Sequence, residues 1–106
     1  MEKRINRAGY EADGQGLIDA VKNNDLEAVK LFIENKTPLN FADTIGATAL
    51  MYAAKINDPR MLQLLIDSGA EVMISDNGKK TALHYAVAKG YEKNAVILLE
   101  KGVDPL

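Results

Sequence analysis

Cysteine is absent from the 106 residues, which excludes disulfides, thiolate metal sites and cysteine nucleophiles. That absence fits a reducing compartment. No apolar run approaches the roughly 20 residues that cross a bilayer, and the charged, polar stretch Met1 to Asn6 is followed by no apolar core of a secretory signal. The expectation is a cytoplasmic protein with no membrane partner, although non-classical export leaves no mark of this kind. An excess of positive charge is also missing. Thirteen basic against 15 acidic residues leave a formal net charge of −2, without the concentrated positive surface that a nucleic-acid partner requires. What is present is an ordinary folded composition, 47% hydrophobic and 26% charged, at a length suited to one domain.

The chain repeats itself. Shifted by 33 places, Asp43 falls on Asp76, Thr48 on Thr81, Ala49 on Ala82, Leu50 on Leu83, Tyr52 on Tyr85 and Ala53 on Ala86, and the match runs on through Leu65 with Leu98 and Gly69 with Gly102. A second shift finds a degenerate copy in which Leu17, Ala20, Phe32 and Ile33 take the places of Leu50, Ala53, Leu65 and Ile66. A fixed period of this length implies stacked supersecondary units.

Each unit reads as two short helices. Thr48 is placed to cap a helix with Leu50, Ala53 and Ala54 on one face, and Asn57 to end it. Asp58 then caps a second helix with Pro59 at its first position, where the missing N–H costs nothing. Met61, Leu62, Leu64, Leu65 and Ile66 give that helix its apolar face, and Gly69 closes it. The next copy repeats the plan with Thr81, Leu83, Ala86 and Val87, then Gly90, then Val96 to Leu99, then Gly102. Helices shorter than about 12–15 residues are marginal alone, so burial against neighbours must hold them. Ala20, Ala53 and Ala86 permit close approach of successive first helices. Between units, Asp76-Asn77-Gly78 signals a tight turn and predicts a hairpin-like projection.

The stretch from Asp43 to Ala54 with Leu64-Leu65-Ile66 and Gly69-Ala70, and Thr81-Ala82-Leu83-His84-Tyr85-Ala86 with Gly90, Leu98, Leu99 and Gly102, resemble the ankyrin repeat family. The wording Thr-Ala-Leu-Met-Tyr-Ala-Ala is similar to that of bacterial members. The resemblance covers about residues 17 to 106 and implies an all-α solenoid of helix-turn-helix units with β-hairpin-like loops between repeats. It divides the chain into a polar lead-in over 1–16 with room for a short helix, a degenerate repeat over 17–42, a repeat over 43–75, and a C-terminal repeat over 76–106 with no evident cap. Several positions depart from the family pattern. Alanine stands at 49 and 82 where proline is usual, Met73 replaces an asparagine that Asn40 keeps, and Lys36 stands where glycine ends the other second helices. Terminal repeats normally need a polar outer face, so part of the apolar face around Ala95, Leu98 and Leu99 is expected to be exposed, to cover a partner, or to mark where a longer protein was cut.

No constellation carries catalysis. His84 lacks an orienting partner and a cleft for acid-base work, and the resemblance gives it a structural hydrogen-bond role between helix and loop, alongside the caps and terminators Thr48, Thr81, Gly69, Gly90 and Gly102. Asp13-Gly14-Gln15-Gly16 lacks the acidic spacing of a calcium loop and the context of a phosphate loop, so it reads as a helix lead-in. Gly78-Lys79-Lys80-Thr81 reads as a charged turn. Tyr52 and Tyr85 read as partly buried interhelical packing. No cofactor or metal is expected. Binding by solenoids uses the concave surface of inner helices and turn tips, and the resemblance maps partner-facing positions onto Lys22, Asn23, Thr44, Ile45, Ala47, Lys55, Ile56, Asn77, Gly78, Lys80, Ala88 and Lys89. Ile45 and Ile56 would form an apolar centre rimmed by Lys22, Lys55, Lys80 and Lys89, suited to a protein with an acidic rim. The expected function is non-enzymatic recognition of a partner protein as adaptor, inhibitor or antitoxin-like factor. The alternative is a section of a longer solenoid, or an assembly unit that self-associates through the C-terminal repeat.

Overall fold

A computed structural model of the chain describes residues 9–102, so the residues 1–8 of the expected lead-in and the residues 103–106 of the expected last repeat lie outside the described part. Six helices follow one another: α1 Gly14–Lys22, α2 Leu26–Glu34, α3 Ala49–Ala54, α4 Pro59–Asp67, α5 Ala82–Lys89 and α6 Glu92–Glu100. They form three antiparallel pairs. The first helices of the pairs, α1, α3 and α5, pack side by side as an inner row, while α4 packs on α6 in an outer row.

Local chemistry starts and stops these helices largely where the residue types demand. Asp13, Asp25 and Asp58 each accept a bond from the first turn that they precede, at 2.9 Å from Gly16, 3.1 Å from Ala28 and 3.1 Å from Arg60. Pro59 opens α4 at its first position. Gly90 closes α5 with a φ of 73°, in the left-handed region that glycine enters without strain. Lys36, in the place of Gly69 and Gly102, is forced into that same region with a φ of 62°. Thr48 and Thr81 stand at the cap positions of α3 and α5, but the Thr48 hydroxyl makes no capping bond.

α3 ends earlier than the spacing predicts. It stops at Ala54 with Lys55 as its cap, short of Asn57. The carbonyls of Ala54, its last residue, and of Ile56 beyond it accept bonds from the Asn94 amide of α6, at 3.2 and 2.9 Å. Asn94 is thus a buried polar side chain at the place that Met61 occupies one repeat earlier.

The core is continuous along the stack. Ala20, Ala53 and Ala86 are wholly buried in the inner row, and Phe32, Leu65 and Leu98 are wholly buried at the matching place in the outer row. Each of these larger side chains contributes about 1.5–3 kcal/mol by leaving water. Leu98 is therefore not part of an exposed end, because it is wholly buried within the continuous core. The exposed apolar groups of the third repeat are instead Val87, Val96 and Leu99. Ala54, the counterpart of Val87, is buried by the third repeat, and Val87 has no following repeat among the described residues.

At the other end, residues 10–13 fold back on the first pair. Tyr10 is buried with its ring edge-on to Phe32 at 6.3 Å, and its hydroxyl accepts from Asn23 at 3.1 Å and donates to Asp25 at 3.3 Å. Gly16 makes this return possible. A Cβ there would lie 1.7 Å from the Glu11 carbonyl oxygen. Among the described residues there is no strand, and no helix is long and apolar enough to cross a membrane.

Candidate interaction face

The expected hairpins are tight turns at the ends of the inner helices, each organised by an aspartate. In Asp43 to Ala47 the backbone closes through Asp43 N–H to the Ala47 carbonyl at 2.9 Å, while one carboxylate oxygen accepts from the amides of Ile45 and Ala47 at 3.1 and 2.9 Å. Asp76 does the same with the amides of Gly78 and Lys80, at 2.9 and 3.0 Å. The second carboxylate oxygen of each receives the hydroxyl of the tyrosine on the following helix, Tyr52 to Asp43 at 2.5 Å and Tyr85 to Asp76. The recurrence of Asp and Tyr at one offset is thus a clip between turn and helix. Packing alone was expected of these tyrosines, and the hydroxyl's partner was not.

These clips shift titration in opposite senses. Burial and then the Asp43 hydrogen bond push Tyr52 up to about 12, and the Asp76 hydrogen bond followed by burial pushes Tyr85 up to about 12. For Asp43, burial pulls upward, but the Tyr52 hydroxyl, the two turn amides and Lys22 outweigh it and hold the carboxyl below its usual value. The Tyr85 hydroxyl, then the Lys80 amide, hold Asp76 low as well.

Neighbouring turns are joined. Asn77 N–H donates to the Ile45 carbonyl at 3.0 Å, and its side-chain amide reaches the Thr44 carbonyl at 3.4 Å. Gly46, with a φ of 81°, leaves room for Asn77, since a Cβ would meet its side-chain oxygen at 2.5 Å. One layer lower, the Asn40 carboxamide accepts from Glu71 N–H at 2.9 Å, a link that Met73 has no polar atom to repeat.

On the inner helices, lysines lie across the tyrosine rings. The Nζ atoms of Lys22 and Lys55 stand 5.0 and 4.9 Å from the centre of the Tyr52 ring, and Lys55 is also 4.4 Å from the centre of Tyr85. Such placements are attractive through the ring quadrupole, by about 0.5–1 kcal/mol where water has access.

The expected partner-facing positions divide accordingly. Lys22, Asn23, Thr44, Ile45, Asn77, Gly78, Lys80, Ala88 and Lys89 are exposed, Ile45 by 54% of its surface. Ala47 is not available. It is 2% exposed, because the joined turns and the following repeat cover it. Ile56 is half-buried against the core, so the apolar centre expected from Ile45 and Ile56 reduces to Ile45 alone. Lys55 is half-buried between two rings at the middle of the face. His84 is exposed and its Nδ1 accepts the Thr81 N–H at 3.0 Å, with the Thr81 hydroxyl also at 3.0 Å, so its polar contacts are those of a helix start. Among the described residues no three histidine, cysteine or acidic side chains gather as a metal site.

Three stacked helical pairs with turns projecting from the inner row define a short repeat solenoid. A family model of ankyrin repeats, in three copies, matches residues 17–106. The chain belongs to the ankyrin repeat family, whose repeats are typically protein-protein interaction modules and usually not catalytic. No individual curated protein matches it.

Proposed function

We propose that the protein is a non-enzymatic binding module that recognises a partner protein through the face built by α1, α3, α5 and the two joined turns. The supporting observation is a set of exposed side chains, Thr44, Ile45 and Lys80 on the two turns and Lys89 on α5, whose backbones are tied together by the core and the aspartate-tyrosine clips. Residues on a preorganised scaffold bind without the cost of ordering a loop. Capture of a partner by the native chain, compared with an Ile45→Asp, Lys89→Glu double variant shown by circular dichroism to be folded, tests this. Loss of the captured protein with the variant supports the inner face, and its undiminished recovery refutes it.

A second reading has its own observation. Val87 and Leu99 are exposed by 63% and 45% on the last described pair, and they offer an apolar surface to a further repeat or another copy. A mass that rises with concentration and returns to the monomer in Val87→Glu would favour it.

A further inference from the structure

Charge is segregated between the two rows of helices. The inner helices α1, α3 and α5 together carry one acid, Asp19, against Lys22 and Lys89, whereas α2, α4 and α6 together carry Glu27, Glu34, Asp67, Glu92 and Glu100 against three basic side chains. The carboxylates on the inner side are already engaged: Asp43 and Asp76 by turn amides and tyrosine hydroxyls, and Asp19 by the Gln15 amide at 3.1 Å. Lys22 and Lys55 share the Tyr52 ring, so their ammonium groups are no further apart than twice its 5.0 Å contact. Among the described residues neither has a carboxylate within salt-bridge distance. Two cations held this near repel each other. An anion in contact with both ammonium groups would relieve that repulsion.

We propose that this face takes an acidic protein segment, whose side-chain carboxylates pair with the ammonium groups of Lys22 and Lys55. The proposal rests on the inner-face reading above and alters its expected chemistry: the lysines stand at the centre of the surface and are not its rim. A short segment suits the charge pattern better than a long polyanion, because the net charge of −2 and the acidic outer helices oppose an extended negative chain.

Selection of peptides displayed on phage against the full chain, followed by nuclear magnetic resonance titration with the recovered peptide, is the test. The expected result is enrichment of Asp and Glu, resonance changes at Lys22, Tyr52 and Lys55, and binding at least about tenfold weaker to a Lys22→Glu, Lys55→Glu variant. A peptide with its acids changed to lysine should regain binding to that variant. If the variant fails to fold, Lys22→Gln with Lys55→Gln serves in its place, with weaker binding still expected. Acid-poor peptides that shift inner-face resonances would overturn the acidic chemistry and leave the inner-face reading standing. Peptides that shift only outer-helix resonances would overturn both. Poly-uridylate bound as tightly as the peptide at equal salt would overturn the choice of a protein segment. Self-association abolished by the same lysine changes would replace the separate partner with the acidic outer helices of a second copy.

Discussion

Replacing Gly16 by alanine sets two effects of opposite sign against each other, and their magnitudes decide the outcome. Alanine is the better helix former by about 0.8–1.0 kcal/mol, and Gly16 lies within α1. The added Cβ, however, would stand 1.7 Å from the Glu11 carbonyl oxygen and 3.0 Å from the Phe32 ring. Backbone cannot give way as a flexible side chain does, so residues 9–13 must lift. With them go the burial of Tyr10 and its hydroxyl bonds to Asn23 and Asp25. An aromatic side chain that buries 150–250 Å² is worth up to about 4–6 kcal/mol at roughly 25 cal/mol per Å². Partial re-burial and the propensity gain reduce the expected net loss to about 2–4 kcal/mol. At about 4–8 °C per kcal/mol for a domain near this size, the thermal midpoint should fall by at least about 8 °C. Circular dichroism melts measure that fall, and tyrosine fluorescence reports whether Tyr10 has left its site. A variant that melts about as high as the native chain, or higher, would refute the close approach.

Leu65→Ala should cost about 2–5 kcal/mol, because Leu65 is wholly buried; urea denaturation measures it, and a change below about 1 kcal/mol would remove Leu65 from the core. Lys36→Gly should stabilise the chain by up to about 1 kcal/mol, since glycine relieves the left-handed conformation at this helix end; a lowered urea midpoint would count against that strain. Acid and alkali should each erode the fold through the clips. Asp43 and Asp76 titrate below their usual carboxylate value of about 3.9, so their stabilisation is complete above that value and is lost as the pH falls through their folded values. Tyr52 and Tyr85, raised to about 12, stabilise fully below the ordinary tyrosine value of about 10 and lose that contribution as the pH rises toward 12. Stability measured against pH should therefore be flat between these limits, and a Tyr52→Phe, Tyr85→Phe variant should lose the alkaline slope.

The exposure of the expected partner-facing positions was legible only in part. Thr44, Ile45, Lys80 and Lys89 are exposed on the inner side, as the resemblance implied, because their place in the repeat decides which way they point. Ala47 and Ile56 occupy equally regular places, yet they are covered to different degrees, and that depends on the side chains of the next repeat. Leu98 was expected at an exposed end for want of a following unit. Its burial places it in the core that runs through all three repeats, as its counterparts Phe32 and Leu65 are.

The period, the two-helix unit, the helix starts at Asp58 and Thr81, the glycine stops and the family were all readable in the chain before any contact was known. All of these rest on propensities that act over a few residues and recur every 33. Packing settles the rest: that Gly16 admits the Glu11 backbone, that Asn94 completes a helix end some 40 residues earlier, and that Lys22 and Lys55 both approach one tyrosine ring. These contacts join residues distant in the chain, and their distances follow from the packing of whole helices, which no local pattern encodes.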